Sequence, residues 1–66
     1  MAKLQVVQRG ITKHIFESCI SSHITNDDEI NAEQLVAKDP SMEIGYYDLE
    51  MIGQNNQVID HIILIK

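Results

Sequence analysis

The chain has 66 residues, eleven of them isoleucine, and ten acids against five bases give it a net charge of −5. That length allows one domain (residues 1–66), which can bury only about 60% of its unfolded surface and offers little room for a catalytic pocket. Five bases weigh against direct binding of nucleic acid or an anionic membrane surface, which need clustered Lys and Arg, and a single cysteine, Cys19, excludes an internal disulfide framework.

Residues 3–9 predict a first strand ended by Gly10. From Ile11 to Ile24 two readings compete. Ile11, Ile15, Cys19 and Ile20 recur at helical spacing. Against that, the stretch holds several β-branched residues and three serines but no Ala or Leu, and such side chains lose freedom or compete for the backbone in a helix. Phe16, Ile20 and Ile24 also fall on one face at even spacing. The favoured reading is a strand over 13–24.

Thr25–Asp28 predicts a turn. After it, Asn31 can cap a helix with Gln34 three residues on, while Ile30 and Leu35 are placed as a hydrophobic staple. Ala32, Leu35 and Val36 share one face, and Pro40 stops the helix at or before Asp39. Two turns of helix cannot stand alone, so the helix must lie on a sheet.

Residues 42–52 and 58–65 predict a hairpin around the Gly53–Gln57 loop. Tyr47, Leu49 and Met51 face one way, and Tyr46, Asp48 and Glu50 the other. Pairing Gly53 with Val58 sets Leu49 opposite Ile62, Tyr47 opposite Leu64 and Glu50 opposite His61. Pairing Ile52 with Val58 would set Glu50 against Asp60, and opposed like charges destabilise a sheet. The last strand is apolar on both faces, a pattern of strands covered on both sides. One short helix covers one face, so the other is expected to meet a second molecule. The whole reads as an α+β fold, ββαββ, with a small antiparallel sheet and one helix on one face. The alternative is a winged-helix-like βααββ arrangement in which 11–24 is helical.

Motifs for catalysis are weak. His14, Cys19 and His23 are of metal-ligating type, but as a strand residue pair Cys19 and His23 would stand roughly 13 Å apart, and no C-x-x-C or H-E-x-x-H spacing occurs. Asp48 and Glu50 share a strand face without a pocket to shift them. Ser18, Ser21 and Ser22 lack a nucleophile elbow, and the three glycines form no phosphate loop. The expectation is no enzyme activity, no cofactor and no metal. The N-terminus lacks the apolar core of a signal peptide, and no apolar run approaches the ~20 residues of a membrane span, so a cytoplasmic protein is expected.

All ten acids lie between Glu17 and Asp60, a span that contains one base, Lys38; Lys3, Arg9 and Lys13 precede it and Lys66 follows. One acidic cluster, Asp27 and Asp28 with Glu29 and Glu33, sits where a helix N-terminus favours negative charge. The other, Asp48 and Glu50 beside Tyr46, lies on the outer hairpin face next to Ile63 and Ile65. Exposed aliphatics rimmed by charge mark interfaces, and tyrosine is a frequent anchor there.

The order of strand, strand ending in His-Ile-Phe-Glu-Ser-Cys-Ile-Ser-Ser, short Ile-Asn-Ala-Glu-Gln-Leu-Val-Ala helix and hairpin resembles small ββαββ accessory proteins of phages and plasmids. That group includes anti-CRISPR and other anti-defence inhibitors. The resemblance rests on order and size and carries over no site residue. It implies an inhibitor whose acidic face docks on a basic surface of a nucleic-acid-handling host or defence protein. Tyr46, Asp48 and Glu50 are then the contacts, with Asp27 and Asp28 second. Two alternatives stand beside this: a homodimeric structural module with Ile63 and Ile65 at a two-fold interface, and a small winged-helix DNA-binding regulator.

Overall fold

The computed structural model describes residues 2–66, and for Ser18 its backbone. The elements run β1 (Ala2–Gln8), β2 (Ile11–Cys19), α1 (Asn26–Lys38), β3 (Tyr46–Ile52), a 3-10 turn (Gln54–Asn56) and β4 (Val58–Ile65). The four strands form one antiparallel sheet in the order β2-β1-β3-β4. This is the ββαββ α+β fold. Because residues 11–19 are a strand, the winged-helix arrangement is not the one the chain adopts.

β1 and β2 are joined by Arg9 and Gly10 at φ +53° and +78°. Two successive positive φ values make the primed turn whose twist matches a hairpin. Glycine takes the second position without steric cost. β2 stops at Cys19, not near residue 24, where its described pairing with β1 ends at Ala2↔Cys19. Ile20 therefore lies outside the strand, 95% exposed, and shares no buried face with Phe16 and Ile24. Ile24 instead donates its N–H to Asp60 Oδ2 at 2.8 Å, which ties the β2–α1 connection to β4.

The helix begins five residues before the expected cap. Thr25 is the N-cap: its Oγ1 accepts from the Asp28 N–H, and the Asp28 carboxylate accepts from the Thr25 N–H, both at 3.2 Å. This is a reciprocal capping box with aspartate in the place usually held by Glu or Gln. Asp27, Asp28 and Glu29 fill the first turn and Lys38 the last, matching the helix dipole. Asn31 lies exposed in mid-helix, and Ile30 is half-exposed, so neither caps nor staples. The apolar face is the expected one. Ala32 and Val36 are fully buried and Leu35 packs beside them. The helix ends at Lys38 with Asp39 as C-cap, one residue before Pro40, as the steric demand of proline requires.

The core lies between α1 and one sheet face: Leu4 and Val6 of β1, Tyr47, Leu49 and Met51 of β3, and Leu64 of β4 meet Ala32, Val36 and Met42. β3 starts at Tyr46 and not at residue 42, because residues 39–45 form a strap across the end of the core. Met42 is buried in the strap, and its N–H donates to the Asp39 carbonyl. The Lys66 ammonium donates to the Asp39 and Met42 carbonyls, and the Lys66 N–H donates to the Gly45 carbonyl. Gly45 has φ +148°, and a Cβ there would stand 3.1 Å from the Gln8 amide nitrogen. The positive φ is what disfavours a side chain at position 45, and the Gln8 side chain would also have to give by a few tenths of an ångström.

In the hairpin, Tyr47↔Leu64, Leu49↔Ile62 and Glu50↔His61 pair as expected, while Val58 pairs with Ile52 and not with Gly53. The two registers coexist because Ile59 is absorbed in a bulge between the Met51↔Asp60 and Ile52↔Val58 pairs. The bulge keeps Glu50 away from Asp60 and still allows a short loop, closed by Gly53 N–H to the Gln57 carbonyl at 2.9 Å. Asn55 and Asn56 supply the positive φ values the loop needs. The extra residue turns Val58 to the outer face, where it is half-exposed, so it does not share a face with Ile62 and Leu64.

Candidate protein-binding face

Strand alternation and register assign the outer face of the sheet. Tyr46, Asp48 and Glu50 alternate with the buried Tyr47, Leu49 and Met51. Across the sheet Ile15, Gln5, Glu50 and His61 form one row over all four strands. Val7, Asp48 and Ile63 form a second, and Tyr46 with Ile65 a third. The Gln5 Nε2 donates to Glu50 Oε1 at 2.8 Å and so fixes the orientation of that carboxylate. Tyr46 and its neighbour Ile65 are 70% and 71% exposed, and Ile63 is 52% exposed. Asp48 and Glu50 are half-buried among them. α1 lies on the opposite face, so these side chains have no cover among the described residues.

The five expected contact residues divide. Tyr46, Asp48 and Glu50 come together on β3. Asp27 and Asp28 lie at the start of α1, on the other side of the sheet, and Asp28 is engaged in the capping box. One flat partner surface cannot reach both groups. Ile63 and Ile65 stand beside Asp48 and Tyr46 on the sheet edge. Sequence reasoning missed Gln5, Ile15 and the two lysines: Lys3 on β1 and Lys13 on β2 alternate onto the same outer face as Gln5 and Ile15. The face is therefore acidic along β3 and of mixed charge toward β2, where Glu17 stands on the same face as Lys3 and Lys13. No sequence signal marks this, because it depends on β1 and β3 being neighbours, and 37 residues lie between the end of one and the start of the other.

His14, Cys19 and His23 do not converge. Among the described residues no group of three His, Cys, Asp or Glu is placed to hold a metal ion. His14 packs edge-on against Phe16 with ring centroids 4.5 Å apart. Burial pushes the Cys19 thiol above its ordinary pKa, the Asp28 charge adds to the rise, and the Leu4 backbone opposes it, so Cys19 is less reactive than a free thiol at neutral pH. A cavity of about 390 Å³ opens between the residues after β2 and the β3–β4 loop, lined by Ile20, Ser21, Gly53, Gln54, Gln57 and Ile59 among others, with no acid or base in its wall. No described helix is long and apolar enough to cross a membrane.

These features define a small antiparallel ββαββ domain with one covered and one uncovered sheet face. Compared with family models, curated proteins and solved structures, the chain finds no match in any of the three.

Proposed function

We propose that the chain is a non-enzymatic binding protein of the mobile-element inhibitor kind, anti-CRISPR or otherwise anti-defence. In this reading the β3 side of its uncovered sheet face docks on a basic surface of a nucleic-acid-handling protein. The observation that carries the reading is the pair of exposed apolar side chains, Tyr46 and Ile65, next to two carboxylates, Asp48 and Glu50, with no element among the described residues over them. Tyrosine and isoleucine supply apolar area at the centre of such a contact, and the carboxylates supply steering and register against Lys and Arg. Gln5 holds one carboxylate in place before binding, which reduces the ordering cost of association.

The test is capture of host proteins at low salt on the immobilised chain and on the double variant Asp48→Lys/Glu50→Lys. A nucleic-acid-handling protein should be retained by the wild type, released by a few hundred millimolar salt, and lost with the variant, whose circular dichroism stays unchanged. Equal retention by the two proteins overturns the reading. Asp27→Lys separates the second group: because Asp27 lies on the far side of the sheet, its reversal leaves retention as it was.

A further inference from the structure

We infer that β4 is the site at which two copies of this chain join, edge to edge, into one continuous eight-stranded sheet. The inference stands apart from the docking face and rests on the backbone of one strand.

A sheet in the order β2-β1-β3-β4 has two edges, and an edge strand presents unpaired N–H and C=O groups to any other strand. The two edges differ. β2 is interrupted by two register shifts against β1 and carries Lys13 and Glu17 on its outer face. Such bulges and charges keep edges from pairing. β4 has its bulge at the very start, and from Asp60 to Ile65 its ladder with β3 is regular. That stretch, Asp-His-Ile-Ile-Leu-Ile, holds no Lys and no Pro. Ile63 and Ile65 are exposed beside it.

Which backbone groups face the free edge follows from a single hydrogen bond. The Lys66 N–H points toward β3, donating to the Gly45 carbonyl. In an antiparallel ladder successive residues turn their backbone groups to alternate sides. Leu64, Ile62 and Asp60 thus face β3, while His61, Ile63 and Ile65 turn their N–H and C=O outward.

A two-fold axis through Ile63 closes all of these groups at once. Ile63 then lies opposite the same residue of the second copy, and His61 lies opposite Ile65 on either side of it, giving three pairs that exchange two hydrogen bonds each. Between them Ile62 lies opposite Leu64, and Asp60 opposite Lys66, whose ammonium is held by the Asp39 and Met42 carbonyls, so no two carboxylates are opposed. The neighbouring registers are worse. Centring on Ile62 forces Ile65 against the bulged Ile59, centring on His61 stacks two imidazoles, and centring on Asp60 opposes two carboxylates, which destabilises a sheet. The axis stands perpendicular to the sheet. Both helices therefore lie on one side, and the outer isoleucines of the two copies form one apolar seam.

The test is sedimentation equilibrium with two variants and a cross-link. The full chain should sediment as a dimer at tens of micromolar. Ile63→Lys should be a monomer with unchanged circular dichroism, since the side chain is half-exposed and makes no part of the core. In a Cys19→Ser background, Ile63→Cys should oxidise to a covalent dimer several-fold faster than Ile15→Cys, because hydrogen-bonded partners stand about 5.5 Å apart at Cα, within disulfide reach. Three results overturn the inference: a wild-type monomer at several hundred micromolar, a dimer that survives Ile63→Lys, or equally fast cross-linking at position 15. The last would mean that the outer faces stack instead of the edges joining.

Discussion

Thr25 decides where the helix begins, although a threonine before two aspartates reads as readily as a turn. A cap can be judged only against the alternatives downstream, and Asn31 with Gln34 fits the same pattern with the more usual glutamine. The difference lies in what the cap must reach. Starting at Asn26 adds a turn and places Ile24 where its N–H meets Asp60, a contact invisible from local spacing. Thr25→Ala should lower stability by about 1 kcal/mol, read as a fall in the urea midpoint, whereas Asn31→Ala should shift it by less than about 0.5 kcal/mol. A larger effect at Asn31 would contradict the assignment. The apolar residues of the helix were legible throughout, because Ala32, Leu35 and Val36 occupy the same face whichever residue caps it.

Among the elements, the strap over residues 39–45 is the one the sequence disguises as strand. Ser41, Met42 and Ile44 alternate as a strand would. Pro40 and Gly45 break the pattern, and Lys66 holds the segment through backbone carbonyls that no side-chain pattern encodes. Asp39 is the pH-sensitive part of the strap. The Ser41 hydroxyl and N–H both donate to its carboxylate and, with Lys66 nearby, hold its pKa below the ordinary carboxylate value. A carboxyl group depressed on folding stabilises the native state above its unfolded pKa, and that contribution is lost as pH falls through the folded value. Asp39→Asn should therefore be less stable than the wild type at pH 7, and the gap should close as the pH falls below the ordinary carboxylate range in paired thermal melts. A gap that widens in acid would reverse the sign and overturn the account. The β4 bounds and the hairpin register were readable, since charge opposition and alternation act locally there. The bulge was not, because it lets two registers that look exclusive hold at the two ends of one ladder.

At the scale of the molecule, one face of the sheet holds the fold and the other is free for contact. Leu49 is fully buried between β1, β4 and α1, so Leu49→Ala should cost about 2–5 kcal/mol, a large part of what a small domain possesses, and its thermal transition should fall steeply or vanish. Tyr46→Ala, on the opposite face of the same strand, should leave the transition within about 0.5 kcal/mol of wild type. If both variants unfolded alike, the division of faces would be wrong. The candidate face was half legible. Tyr46, Asp48 and Glu50 declared themselves by alternation along β3. Their neighbours Gln5, Lys3 and Ile15 come from the other end of the chain and needed the strand order.

That order carries a kinetic consequence. β1, which leaves the ribosome before the other three strands, lies inside the sheet, flanked by β2 and β3. Its inner side chains, Leu4 and Val6, pair with Phe16 and His14 of β2 on one side, but on the other side they find partners only at Met51 and Leu49. During synthesis the β1–β2 hairpin can close early, but it must wait with one edge open until most of the chain has emerged, about two to ten seconds later at ordinary elongation rates. Pairings this distant in sequence close slowly. The nascent chain is thus most prone to mispairing along the edge of β1 that β3 later covers, an edge that leaves no trace on the surface of the finished domain.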